Sequence, residues 1–394
     1  MSSDSAEPTE PTSHASPEVP CSYVPPEPSR QLIDPDGDLS LQVGETRCIN
    51  IPGDGDQGPN HEHELPVTFV VCSKTLSRAS RVWKTLLYGG FAESKPSCNS
   101  SASEWVVNLP DDNPKAMAAI LNIIHSRFES LPQTTDLINL DDLYELTVLT
   151  DKYDLTTILR PWASIWMNFI RERYKLLGYW MDNNLVTSDL ERLLWISWEM
   201  GDEDLFICAS KLLAYQCSVD DNGDLQNNTG NEIVPLFNST LEPPGLHDLL
   251  KTIRLQTIER MLQIYSDIIH TLLDKTAMST DRSSCCEERY WDDKLQCEAG
   301  ILGIVIRSLS WSDFWPLPAA TGIKMNVKQL LIVLKAIDVQ SPVHSYCRGV
   351  PDRYNELIRR SEIQMPISTS QKARMVEQAA KSGYNIYTTI KTKN

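Results

Sequence analysis

Cys72, Ser73 and Lys74 stand side by side at the end of an apolar run, in the stretch FVVCSKTLSRASRVWKTLLYGGFAES from Phe69 to Ser94. A thiol or hydroxyl beside an amine is the raw material for a nucleophile and its base. Such a pair works only when a base and an orienting group converge on the nucleophile. Here the triplet closes a strand-like run and precedes a helix with an ordinary apolar stripe, so Cys72 is expected to be a buried structural thiol. The chain contains no GxxxxGK phosphate loop, no HExxH and no GxSxG. No catalytic or cofactor-binding residue is assigned, and no enzymatic activity is expected.

Three further patterns have the right residue types for ligands. GDGDQG, from Gly53 to Gly58, matches the glycine spacing of a dinucleotide-binding loop. That motif needs a helix N-terminus aimed at the pyrophosphate, whereas Pro59 and a polar run follow here, and Asp54 and Asp56 would repel phosphate. It is expected to be a loop. DPDGD and DDNGD alternate acidic oxygens like the start of a calcium loop. Neither has the glycine at the sixth position or the bidentate Glu at the twelfth that such a loop requires, so both are expected to be solvated turns. Cys285, Cys286, Cys297, His344 and Cys347 supply enough soft ligands for a tetrahedral zinc site. However, 47 residues separate Cys297 from His344 and no Cys-x-x-Cys pair is present. Cys297 fits a buried helix face equally well, and no metal is assigned.

The composition narrows the choice of partners. The chain has 394 residues, 41% of them hydrophobic, with ten Trp and thirteen Tyr, enough for a substantial core. Its formal charge is -17, of which the first 65 residues carry -11, from 13 acidic residues against 2 arginines. Acidity this strong disfavours nucleic acid and anionic membrane surfaces as partners, because binding either depends on cationic neutralisation of phosphates. The ten cysteines are scattered rather than arranged as a disulfide framework. The N-terminus lacks the basic start and apolar core of a secretory signal, and the longest apolar runs, such as ILGIVI, are too short to span a bilayer. A cytoplasmic or nuclear protein with reduced thiols is the expectation.

The elements that would position these residues can be read along the chain. Residues 1–34 are rich in Pro, Ser, Thr and Glu, and are expected to form a disordered arm. Leu39, Leu41 and Val43 alternate with polar residues as in a half-buried strand, and LPVTFVV forms a second strand joined to it by a long loop. Leu76, Ser80, Trp83, Leu86 and Leu87 recur at helical spacing and predict one helix closed by Gly89-Gly90. EWVVNLP is another strand. Asn113 and Pro114 then open a helix whose stripe is Met117, Ile120, Leu121 and Ile124. Helices are also expected in LDDLYELTVLTDKYDL and around Leu159, Trp162, Trp166 and Phe169. Beyond about residue 172 the pattern turns almost wholly helical: a helical hairpin with Gly201 at its break, a polar loop near 218–245, the long segment 246–275, and two helices in CEAGILGIVIRSL and NVKQLLIVLKAI. Residues 381–394 complete the chain as a tail.

The order strand, strand, helical pair, strand, capped helix, helix, helix across Asp38 to Arg171 resembles a BTB/POZ domain. GDLSLQVG is similar to the family's opening D-x-x-L-x-V-G strand. FVVCSKTLSRASRVWKTLLYGGFAES resembles its F-x-V-x-K-x-x-L-x-x-x-S-x-x-F segment with the closing F-x-E-S element, and LTVLTDKYDL is similar to its L-x-x-x-A-x-K-Y helix. The combination LPDDNP, LNIIH, DKYD and PW looks most like BTB domain-containing proteins of filamentous fungi. The resemblance implies an α+β N-terminal BTB/POZ-like domain over residues 35–171, a small sheet capped by helices, followed by a mainly α-helical region over 172–380. Cys72 stands where many members have His. Ser73 stands where repressor-type members have the basic residue of a peptide-binding pocket, and Asp38 occupies that pocket's acidic position.

The function implied is a non-enzymatic protein–protein interaction adaptor, with a cullin scaffold of a ubiquitin ligase as the first partner to consider. A transcription-associated regulator acting through BTB-mediated association is the alternative. Family members commonly form homodimers through the first helix and an adjoining strand, here Thr75–Leu87 and Leu39–Val43. Leu76, Trp83 and Leu87 are then the self-association candidates, divided between the core and a contact patch, with Trp83 as anchor. The alternative is that all three are core.

Overall fold

The computed structural model describes residues 29–45, 47–51, 60–64, 66–96, 104–130, 139–174, 185–229, 232–273, 291–343 and 353–384. The N-terminal part centres on a four-stranded mixed sheet built from β1 (Ser29–Leu32), β2 (Leu39–Val43), β5 (Val67–Val71) and β6 (Val106–Leu109), in the order β1-β5-β2-β6. β2 and β5 pair antiparallel, with Leu39 opposite Val71 and Leu41 opposite Phe69. Leu39, Leu41, Val43, Phe69 and Val71 are all buried, so the apolar positions set the register. The connection between these strands contains a separate hairpin of β3 (Arg47–Ile51) and β4 (Asn60–Glu64). The loop expected to run through Glu64 therefore ends in a strand. Its polar sequence NHEHE carries no apolar alternation, and the pairing is made by backbone groups. Residues 52–59, which hold the whole of GDGDQG, lie outside the described residues.

The expected disordered arm also ends earlier than residue 34. β1 runs parallel to β5, Arg30 bonds Glu104 at 3.1 Å, and Ile33 is buried. All four β1 residues are exposed, so backbone pairing holds a strand that has no apolar pattern. Residues 1–28 lie outside the described residues.

The single helix that periodicity predicts over Leu76–Leu87 is two, α1 (Ser73–Ala79) and α2 (Arg81–Tyr88), the helical pair that the resemblance implies. Ser80 leaves the helical region at φ −140°, ψ 136°. Its hydroxyl accepts from the Trp83 N–H at 3.1 Å and donates to the Tyr153 carbonyl at 2.6 Å. Capping by a side chain that is itself held from outside makes the break. Asn113 caps α3 (Pro114–Ile124) as expected, accepting from Ala116 at 3.0 Å. α4 (Leu140–Lys152) and α5 (Arg160–Tyr174) follow, with a 3-10 turn over Thr156–Leu159 between them. Asp112, 3% exposed, accepts from both Lys152 and Tyr153 at 2.5 Å, so LPDD and DKYD, forty residues apart, lock together. Burial, with the Asp112 carboxylate beside it, pushes the Tyr153 phenol far above its ordinary value.

α6 (Thr187–Met200) and α7 (Glu203–Gln216) form the expected hairpin, with Gly201 at φ +79° between them. The region near 218–245, expected to be a polar loop, holds a small antiparallel sheet of β7 (Ser218–Val219), β8 (Leu225–Thr229) and β9 (Glu232–Pro235). DDNGD is its first turn, where the Asp220 carboxylate accepts from the N–H groups of Asn222 and Asp224. The strands show no apolar alternation: Val219 and Leu225 are buried, whereas Ile233 is 65% exposed. The 28-residue α8 (Leu246–Leu273), α9 (Trp291–Trp311), α10 (Val327–Ala336), α11 (Arg353–Ser361) and α12 (Thr369–Ser382) complete the fold. Arg254 on α8, 1% exposed, donates one Nη2 to the carbonyls of Ile323, Lys324 and Met325. One continuous hydrophobic cluster runs from Ile33 to Tyr384. The molecule is a mixed α/β structure with a small N-terminal sheet and a mainly helical remainder. No helix among the described residues is long and apolar enough to cross a membrane.

Candidate functional site

The most elaborate polar cluster near the surface lies where β2, β5, α1 and α2 meet, and it contains the triplet Cys72-Ser73-Lys74. Asp38, just before β2, accepts from the Ser73 N–H and hydroxyl, each at 2.8 Å, and from Lys95 at 3.1 Å. Ser73 in turn bonds the Tyr88 hydroxyl at 2.6 Å. Lys95 also sits 5.5 Å above the Trp105 ring, and the Tyr88 ring meets Trp105 edge-on at 6.1 Å. Burial raises the Asp38 pKa, but the donors from Ser73 and Lys95 outweigh it and hold the carboxyl below its ordinary 3.8.

This arrangement decides what the triplet does. A carboxylate held below its ordinary range suits a hydrogen-bond acceptor better than a general base. Asp38 satisfies the first N–H of α1 instead. The Cys72 N–H donates to His125 Nε2 at 3.2 Å, which leaves the ring proton on Nδ1 to donate to the Leu121 carbonyl at 2.9 Å. His125 thus spends both nitrogens on backbone groups and offers neither to the Cys72 thiol. Lys74 is exposed, and the cation facing Asp38 is Lys95.

GGFAES, which follows α2, folds into a turn tied by one hydroxyl. Ser94 Oγ accepts from the N–H groups of Gly90 and Phe91, at 3.0 and 2.9 Å, and donates to the Leu86 carbonyl at 2.9 Å. Trp105 Nε1 pins the turn further by donating to the Glu93 carbonyl at 2.9 Å. This turn presents Phe91, 57% exposed, three residues after Tyr88 at 43%. The Ser73 hydroxyl thus holds Tyr88, and Ser94 holds the backbone at Phe91. Ser73 and Asp38 are 35 residues apart and Lys95 and Asp38 are 57, so their convergence had no local signal.

Leu76, Trp83 and Leu87 are placed otherwise than the self-association reading required. All three are 0% exposed, and Trp83 stacks on Tyr153 at 4.5 Å. The helical stripe that marked them is the core stripe. The exposed apolar residues of α2 are Val82 and Tyr88. Of the zinc candidates, Cys285, Cys286, His344 and Cys347 lie outside the described residues. Cys297 is buried in α9, 2.9 Å from the Ser341 hydroxyl. Among the described residues no group of three or more His, Cys, Asp or Glu is placed to hold a metal ion.

The cluster carries a direct prediction. Asp38→Ala removes three donors' acceptor and is expected to cost about 1–2 kcal/mol, discounted because the side chain is 37% exposed. The sign follows from the lowered pKa: the stabilisation is full above about pH 4 and lost as pH falls through the folded value. Wild type and variant should therefore converge in urea stability at acid pH; equal stability at pH 7 would contradict this role.

No family model matches the chain, and no curated protein matches it significantly.

Proposed function

We propose that this chain is a non-enzymatic protein–protein interaction adaptor built on a BTB/POZ-like N-terminal domain, with a cullin scaffold as the partner of first choice. One observation supports it most. The exposed Tyr88 and Phe91 are tied to a base fixed by Asp38, Ser73, Lys95 and Ser94, Tyr88 through the Ser73 hydroxyl and Phe91 through Ser94, so their positions are set before any partner arrives. Preorganised aromatic side chains over a polar framework make efficient contact residues, because little conformational freedom is lost on binding.

The test is affinity capture with tagged full-length protein beside the Tyr88→Ser/Phe91→Ser variant. Recovery of cullin by wild type and a tenfold or greater loss by the variant, with an unchanged circular dichroism spectrum, is the expected result. Recovery of chromatin-associated factors in place of cullin would support the transcription-associated alternative. Unchanged recovery by the variant would remove Tyr88 and Phe91 from the proposal.

A further inference from the structure

α12, the last helix described, folds back across the chain onto the face made by α4, the 3-10 turn, α5 and α6. Gln378 Nε2 donates to Glu199 Oε2 at 2.5 Å and to the Glu199 carbonyl at 3.3 Å. Ser382 donates to the Met200 carbonyl at 2.8 Å. Arg160 donates to the carbonyls of Lys381 and Ala380, at 3.0 and 2.6 Å, which caps the C-terminal end of α12. Ion pairs ring the contact: Arg374 with Asp151, Lys381 with Asp154 and Lys372 with Glu203, at 3.2–3.3 Å. These pairs are exposed and each contributes little. The helix follows a segment without regular secondary structure, 362–368, so it can lift without unthreading any other described element.

At the centre of the contact is a carboxylate with no access to water. The Glu199 side chain is 0% exposed. The Thr156 hydroxyl and Gln378 donate to it, and Arg374 stands 3.6 Å away. We propose that α12 is a reversible clasp, which tightens when Glu199 takes up a proton and loosens when that carboxylate ionises.

The physical basis is the difference between the two ends of the motion. With α12 seated, a charged Glu199 has lost its hydration and regains only part of it from Thr156, Gln378 and Arg374. With α12 lifted, water returns. Burial accordingly raises the seated carboxyl from 4.5 to about 7; Asp151 also pushes it up, while Thr156, Arg374 and Gln378 pull it down. A seated-state value above the released-state value means that docking is strongest at low pH. It weakens as pH rises from about 4.5, and levels off above about 7. Those two values give an opening constant about tenfold larger at pH 8 than at pH 6.

Among the described residues, the charged and titratable groups that face this contact are Asp151 and Asp154 at the end of α4, and Arg160 and Arg171 on α5. Asp202, Glu203 and Asp204 stand at the start of α7, with Lys372, Arg374, Glu377 and Lys381 on α12 and Tyr384 beyond it. None of them is a histidine, which leaves Glu199 as the group placed to respond between pH 6 and 8. Release uncovers an acidic face of Asp151, Asp154, Glu199 and Glu203.

Hydrogen exchange of the full chain at pH 6 and pH 8, corrected for intrinsic exchange, tests the clasp. Peptides from 369–384 should open about tenfold more at pH 8, while peptides from the buried α6–α7 hairpin stay unchanged. Glu199→Gln should abolish that difference. Equal protection of 369–384 at the two pH values in wild type would overturn the proposal, and so would a Glu199→Gln protein that retains the wild-type rise. The wild-type comparison decides by itself if the variant fails to fold.

Discussion

Gly201→Ala is expected to lower unfolding free energy by about 3 kcal/mol or more, whereas Gly223→Ala, at nearly the same backbone angle, should cost only about 1. The two glycines lie at φ +79° and +82°, so alanine meets similar backbone strain at both. They differ in what surrounds the added methyl. At Gly223 nothing lies within 4 Å. At Gly201 a Cβ would stand 2.2 Å from the Ala379 nitrogen, 2.4 Å from the Met375 carbonyl oxygen and 2.7 Å from the Ala379 Cα. All three atoms belong to the α12 backbone, which cannot swing aside as a side chain would. α12 must shift away, and with it go the Gln378 contact to Glu199 and the Ser382 contact to Met200. Urea unfolding of the two variants beside wild type measures the difference. Equal losses would show that backbone strain alone, and not the helix contact, makes glycine necessary at 201.

Arg171→Met should be nearly as damaging, at about 3–5 kcal/mol, because it strands a buried charge. Asp202 is fully buried, and its carboxylate accepts from both Nε and Nη2 of Arg171 in a forked pair while also capping α7 through the Leu205 N–H at 3.0 Å. Burial and the adjacent Asp202 carboxylate push the Tyr384 phenol well above its ordinary value, which keeps it a neutral hydrogen-bond donor beside the pair. Asp202 cannot be rehydrated without opening the α5–α7 junction. The double variant Arg171→Met/Asp202→Asn should recover a large part of the loss, since the amide oxygen still caps α7 and no charge remains. Failure to recover would mean that Arg171 contributes mainly through packing of its stem.

Several elements were legible because local chemistry and tertiary environment agree. The alternation in β2 and β5 matches a sheet whose apolar face is buried, and Asn113-Pro114 starts α3 through a cap confined to four residues. Gly201 was legible as the break in the α6–α7 hairpin. α12 carried a readable start in Ser368 and Gln371, whose reciprocal bonds form a capping box, although its polar composition concealed it. Its docked end also moves the expected tail boundary, because Ser382 and Tyr384 are buried.

What the sequence by itself determined was the short-range part: strand faces, helix caps, hairpin turns and the absence of familiar catalytic spacings. Only the tertiary structure decided that Ser80 divides one helical stripe into two helices, since the hydroxyl that caps Trp83 is held by the Tyr153 carbonyl from 73 residues away. Only the tertiary structure placed Leu76, Trp83 and Leu87 all in the core, brought Lys95 to the Asp38 carboxylate, and shut Glu199 beneath a helix 179 residues further on. Periodicity shows that a residue has an apolar or polar face to satisfy. Which distant group satisfies it depends on how whole elements pack, because burial and charge pairing act through space and leave no mark on neighbouring residues.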